Sequence, residues 1–476
     1  MSLATDYPEH WRRQAYESLH KALDDAKQNK KIAHNVIMFL GDGMSISTVV
    51  STRILKGQNA GNPGEETVLS YEAFPHIGLS KTYNTDHQVP DSAGTATAYL
   101  TGVKTKKGVI GLDGRALYRN CDTAAGREVS SILKVAKEAG MAVGFVTTTR
   151  ITHASPAGLY AHVPYRHWEH DTDGTSCDDI AKQFVRSEMD IDVALGGGWR
   201  EFRPTSYIEG GSSGKREDSL DLIQEWEARY KSKGNAKYIT KLDELQNLDV
   251  QGTDYVLGLF NADHIDYEAD NVAGQPTVAE MTEQAIRLLS RGGRRYFLFV
   301  EGGRIDHAHH VNVAHLALTE SLGMEKAVEK SLELTKGTDT LTVVTSDHSH
   351  TLTITGYPVR GNPILGYNQQ KSDIIFSDGL PYTTLNYGIG PGGFEVQKSF
   401  KENSHRPDPS KTDTQAPHYM QSALIAAVPG AHAGDDVAIF AHGPMSHLFH
   451  SVHEQNYIMH AMQYAACIGD FAPNCH

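Results

Sequence analysis

The chain is short of several things, and each shortage excludes something. Its 476 residues include only four cysteines, none in a C-x-x-C pair, so a zinc site built on thiolates is not expected. No long apolar run occurs and the mean hydropathy is −0.41, which excludes a membrane-spanning helix. Lysine and arginine are outnumbered, 44 against 58 aspartates and glutamates, for a formal net charge of −14. That balance argues against nonspecific binding to nucleic acid or anionic lipid. No N-x-S/T sequon is present, so N-glycosylation is not expected. The opening MSLATDYPEHW has no apolar signal core and the end has no hydrophobic tail. A signal peptide and an anchor signal are therefore expected to be absent from this chain.

Histidine is abundant. There are 25, clustered late in the chain. Surface imidazoles are the plain explanation and metal ligation the sharper one. The four cysteines, Cys121, Cys177, Cys467 and Cys475, fit two disulfides in any of three connectivities. Pairing by proximity gives Cys121–Cys177 and Cys467–Cys475, and four reduced thiols are the alternative.

At roughly 150 residues per domain, the length suits one large domain or a few small ones. Residues 1–30 read as a helical arm: Asp6 can cap a helix, Pro8 suits its first turn, and Trp11, Ala15, Leu19 and Leu23 form one apolar stripe. Short apolar runs then look like buried strands: 36–40, 143–146, 193–195, 296–300, 341–344 and 437–441. Helical patterns lie between them, as over 277–290. The alternation predicts an α/β fold with a large, mostly parallel central sheet flanked by helices. Residues 31–354 and 431–476 are assigned to this catalytic domain. Residues 355–430, rich in Gly, Pro, Ser and Asn, are assigned to a small irregular inserted subdomain. Residues 205–219 read as an exposed loop.

Ligands of open α/β sheets sit beyond the carboxyl ends of the strands. There the sequence places Asp42, then His153 and Ser155, then Glu301, Asp306, His307, His309 and His310, then Asp347, His348 and His350; His432 stands before the last run. One Asp between glycines is ordinarily a turn residue, and one loop histidine is ordinarily solvated. Gathered at one sheet edge, such carboxylates and imidazoles would repel and lose solvation without cations. Oxygen and imidazole ligands suit zinc and magnesium. Asp306 and His310 are four apart, so a helical turn lets them share an ion. Ser92, in DSAGTATAYLTG, could be a simple helix cap. Beside cations at a helix N-terminus, it is also placed to attack phosphorus.

Together FLGDGMS (39–45), PDSAGTATAYLTGVKT (90–105), THASPAG (152–158), VEGGRIDHAHH (300–310), SDHSHT (346–351) and HAGDDV (432–437) resemble the alkaline phosphatases, in that family's order. His153, His307 and the cysteine placement resemble the animal branch; the bacterial branch typically has Asp and Lys at those two positions. The resemblance implies two zinc ions and one magnesium ion. It implies Asp306, His310 and His432 as ligands of one zinc, and Asp42, Asp347, His348 and the Ser92 oxygen as ligands of the other. Asp42, Ser155 and Glu301 are implied for magnesium. His153, His307 and His350 are implied as neighbours touching these ligands. Arg166, in AHVPYRHWEHD, matches the family's phosphate-binding arginine, whose planar fork suits two phosphate oxygens. The implied activity is hydrolysis of small phosphate monoesters through a phosphoserine at Ser92, with a broad substrate range and an alkaline optimum. A secreted or cell-surface homodimer is implied as well, with 355–430 as a crown-like subdomain at the dimer interface. A fourth, calcium-type site is not matched: Asn261 and Gln275 stand where acids are expected, and the loop near Glu209 is short.

Two other readings make different demands. A sulfatase of this superfamily needs C-x-P-x-R, which neither Cys121 nor Cys177 begins. A metal-storing protein without catalysis would tolerate damage at Ser92 or Arg166, and both are intact.

Overall fold

The computed structural model describes residues 13, 17, 28–171, 177–368 and 378–474. All six expected strands fall in one ten-stranded sheet. In spatial order it runs Ser451–Glu454, His76–Lys81, Val437–His442, Thr340–Ser346, Asn35–Gly41, Tyr296–Gly302, Ala142–Arg150, Val193–Gly197, Tyr255–Leu259 and Ala236–Ile239. Neighbours are parallel except at Val437–His442, which is antiparallel to both strands beside it.

Helices cover both faces of the sheet. Along Asn35–Gly41 every residue is buried, and alternate side chains enter different cores. Val36, Met38 and Leu40 share a core with Leu100 and Met462, carried by helices Ser92–Thr101 and Tyr457–Ala466. Ile37 and Phe39 share the other with Met281, Leu288 and Met324, carried by Val278–Ser290 and Ala314–Leu334. Thr277 and Glu280 form a capping box, so the helix read over 277–290 begins at Val278.

Four strands of this sheet were not expected: His76–Lys81, Ala236–Ile239, Tyr255–Leu259 and Ser451–Glu454. Three of them carry partly exposed residues at or near the sheet edges, so their polar side chains break the apolar run. In Tyr255–Leu259 the break is Gly258, where an added Cβ would lie 2.7 Å from Phe260 and 2.8 Å from Leu195.

The inserted stretch is more regular than its composition suggests. Leu352–Ile354, just before it, pairs antiparallel with Leu385–Gly390, which pairs parallel with Ala423–Ala426. Helix Gly392–Asn403 packs beside Ala423–Ala426. The 205–219 stretch is only partly an exposed loop. It contains a small hairpin, Ile208–Glu209 with Ser212–Ser213, and Arg216 is fully buried between Asp179 and Asp218. Of the expected N-terminal arm, Arg13 and Glu17 are helical; Asp6, Pro8 and the stripe Trp11, Ala15, Leu19 and Leu23 lie outside the described residues. Cys121 is bonded to Cys177. Cys467 is disulfide-bonded too, while Cys475, its expected partner, lies outside the described residues.

Candidate metal and nucleophile site

The sheet's register brings the expected residues together. Leu40 and Thr147 both pair with Glu301, and Gly41 pairs with Ser346. Asp42 and Asp347 therefore leave neighbouring parallel strands at one level. Helix Arg304–His310 follows the Glu301 strand and puts Asp306 and His310 on one turn, His310 Nε2 lying 3.3 Å from Asp306 Oδ2. A two-residue ladder sets His350 opposite His432.

Three groups of ligand atoms result, each within 4.8 Å. The first is Asp306, His310, His350 and His432. Three of these were expected; His350 joins them through its Nε2, 2.5 Å from Asp306 Oδ1. The second is Asp42, Asp306 and His348. Asp347 lies beside it, its Oδ2 3.1 Å from His348 Nε2, and Ser92 Oγ is 3.3 Å from the same nitrogen. The third is Asp42, His153 and Glu301. Here His153 presents a ligand atom in addition to the expected carboxylates. Ser155 is fully buried and its hydroxyl has no hydrogen-bond partner.

The donor set fits metal ions. Both Asp42 oxygens, Glu301 Oε1, Ser155 Oγ and His348 Nδ1 are buried without hydrogen-bond partners, an arrangement costly unless something else satisfies them. His310 Nδ1 lies 2.6 Å from Gly430 O, and His432 Nδ1 lies 2.8 Å from Pro90 O. A carbonyl only accepts, so each Nδ1 carries a proton, and in the neutral ring each Nε2 presents a lone pair. Those two Nε2 atoms face one another at 3.1 Å. A shared cation turns this repulsion into ligation, and four nitrogen and oxygen ligands suit tetrahedral zinc.

Around Asp42 and Glu301 the titration directions agree. Burial, reinforced by Asp347 and Asp306, pushes the Asp42 carboxyl well up. Burial pushes Glu301 up to about 7 and Asp347 up to about 6. Burial also holds His153 and His348 well below the ordinary imidazole value. A bound cation would draw these carboxyls back to the ionised form and favours imidazoles that are already neutral. Asp306 differs, held well below the ordinary carboxyl value by His310 and His350, and it raises His310 in turn.

Ser92 is the first residue of helix Ser92–Thr101, and Asp91 caps it by accepting from Gly94 N at 3.2 Å. The cap is therefore Asp91, and Ser92 stands beside it at the first helical position. Arg166 is held at the same end: its NH1 donates to Asp91 Oδ2 at 3.1 Å and its NH2 to His153 Nε2 at 3.1 Å. His307 is packed against His153 and His264, ring centroids 5.2 and 4.3 Å away. His264, Thr95, which donates to Asp347 Oδ2 at 3.2 Å, and Thr147, which donates to Glu301, were not singled out from the sequence. Each reaches the site through tertiary packing, and none carries a spacing signal.

Near the unmatched calcium-type position, Asn261 Nδ2 and Gln275 Nε2 donate to Asp266 Oδ2 at 3.2 and 2.7 Å. Amide donors there satisfy the carboxylate that a cation would otherwise neutralise. Among the described residues, no grouping of three or more metal-type ligands lies there.

Comparison with known proteins points one way. The family model described as alkaline phosphatase matches residues 33–468. The tissue-nonspecific alkaline phosphatase of Rattus norvegicus is 45% identical over 481 residues, 98% of this chain and 90% of that protein. An alkaline phosphatase of Gadus morhua is 44% identical, covering 97% of this chain and 98% of its own length. In fold, the chain is similar to alkaline phosphatase from the Antarctic bacterium TAB5, with a TM-score of 0.66, 24% identity and coverage of 93% and 100%.

Proposed function

Since this chain belongs to the alkaline phosphatase family, we propose that it hydrolyses phosphate monoesters through a phosphoserine formed at Ser92. The observation that carries the reading is the convergence at one helix end. Ser92 Oγ, the Arg166 guanidinium and the ligand groups meet there. Two zinc ions and one magnesium ion, when bound, would supply the positive charge that favours the serine alkoxide, the leaving oxygen and the water. Asp306, His310, His350 and His432 would hold one zinc. Asp42, Asp347 and His348 would hold the other, near Ser92. Asp42, Ser155 and Glu301 would hold magnesium, with His153 at its edge.

The remaining work belongs to the chain. Arg166, fixed by Asp91 and His153, grips phosphate oxygens and orients phosphorus towards Ser92 Oγ. Ser92 Oγ attacks; the ester P–O bond breaks and the alcohol leaves with a proton. Water then attacks the phosphoserine, the P–Oγ bond breaks, and phosphate departs as Ser92 regains its proton. The N–H groups of Ser92 and Ala93, ahead of the Gly94 N–H that Asp91 takes, would face the anion. Recognition centred on the phosphate supports a broad substrate range, and the family supports an alkaline optimum.

The reading extends to assembly and location. Residues 355–430 would form a crown-like subdomain at a homodimer interface, supported by exposed apolar side chains there: Leu424 is 83% exposed, Val428 77% and Tyr357 74%. A secreted or cell-surface setting is supported by the Cys121–Cys177 disulfide. The experiment is hydrolysis of p-nitrophenyl phosphate, its bis-ester and its sulfate by the zinc- and magnesium-loaded protein and by the chelated protein. Metal-dependent turnover of the monoester, well above the other two, is expected. Preference for the bis-ester or the sulfate contradicts the reading.

A further inference from the structure

His309 sits between two residues assigned as metal ligands or their neighbours, yet both of its ring nitrogens are committed elsewhere. It is fully buried. Its Nε2 lies 3.0 Å from Thr48 Oγ1, on helix Ile46–Asn59, which begins just after Asp42. Its Nδ1 lies 2.8 Å from the hydroxyl of Tyr387, on strand Leu385–Gly390 of the inserted block. With both nitrogens engaged, the ring has no lone pair left to ligate an ion. Its face packs on His350, ring centroids 5.0 Å apart, and His350 Nε2 lies 2.5 Å from Asp306 Oδ1.

The same helix end is bonded to the insertion by backbone. Gly430 N donates to His310 O at 2.8 Å, Gln421 N to Asn312 O at 2.8 Å, and Gly392 N to Asn312 Oδ1 at 3.1 Å. The insertion thus meets the ligand-bearing helix from behind, and His309 carries that contact across to the helix that follows Asp42.

We infer that His309 is a positioning residue: with Tyr387 and Thr48 it clamps helix Arg304–His310 between the insertion and the Asp42 loop, and holds His350 and Asp306 in register for the first metal. This rests on the metal-dependent reading above. A partner that orients a ligand from behind typically changes metal affinity or activity by about 10–100-fold. A buried histidine that only fills space would change folding stability alone.

The test uses the full-length zinc-loaded protein and follows zinc release to a chelator with a colorimetric indicator. Its variants are Tyr387→Phe, which removes one oxygen, Thr48→Val and His309→Gln. Tyr382→Phe is the control; that hydroxyl accepts from Tyr357 N and Asn368 Nδ2 within the insertion. Tyr387→Phe and His309→Gln should each release zinc about tenfold faster. Turnover number should fall while KM stays within about twofold. Melting temperature should drop more with zinc bound than without. The double variant Tyr387→Phe with His309→Gln should release zinc no faster than His309→Gln alone, because both break one chain. Parental release rates in both single variants, or equal acceleration in Tyr382→Phe, would overturn the inference and leave the phosphatase reading standing. A parent that binds no zinc overturns both. If His309→Gln does not fold, Tyr387→Phe decides the matter alone.

Discussion

At the scale of residues, Arg166 and Ser92 divide the work. Arg166→Lys keeps the charge but loses the fork that can hold two oxygens. Its KM for p-nitrophenyl phosphate and its inhibition constant for phosphate should each rise about tenfold or more, measured by steady-state kinetics. His153 and His307 differ from Arg166 in kind. The change His153→Asp with His307→Lys adds a carboxylate beside the Asp42–Glu301 group and a fixed cation near the phosphate. Magnesium exchange should slow and product inhibition should tighten, with a lower turnover number; unchanged phosphate inhibition would show that the two imidazoles only pack. Glu320 offers a test away from the site. It is buried and accepts from Glu268 N at 2.7 Å, and burial pushes its carboxyl up to about 8. A raised carboxyl stabilises the fold fully below its ordinary value near 4.5, and that contribution is lost as pH rises through about 8. Glu320→Gln keeps the acceptor and removes the titration, so its melting temperature should fall less than the parent's between pH 5 and 8.

At the scale of elements, what was legible depended on burial and covalent spacing. The central strands read clearly because helices cover both faces, so the run Val36–Leu40 is apolar at every position, while the buried Asn35 amide before it is satisfied by Thr340 and Tyr296. His76–Lys81 was missed because its exposed and buried positions mix. The site was legible where ligands follow strands directly, as at Asp42, Glu301 and Asp347. The grouping of His350 with His432 was not, because it depends on a two-residue ladder between residues 82 apart in sequence. His264 reaches the site only through packing against His307. Residues 355–430 read as irregular because the polar, Gly-rich sequence hides two strands, Leu385–Gly390 and Ala423–Ala426, which complete a three-stranded sheet with Leu352–Ile354 before them. The Cys121–Cys177 bond closes a sequence separation of 56. Replacing both cysteines with serine should cost roughly 2–4 kcal/mol, read from denaturant unfolding, with little change in turnover number.

At the scale of the whole molecule, the account joins a sheet edge that gathers charge, a helix end that receives an anion, and an insertion that braces the ligand helix. Its central claim is that turnover passes through a covalent phosphate on one side chain. The most direct test is to mix the zinc- and magnesium-loaded protein with p-nitrophenyl phosphate, quench in acid within milliseconds, and map the trapped phosphate by peptide mass spectrometry. The account predicts one phosphate per chain on Ser92, and Ser92→Ala should retain zinc while losing that phosphate and turnover by roughly a thousandfold or more. Phosphate trapped on another residue, or steady hydrolysis by Ser92→Ala at the parental rate, would contradict it.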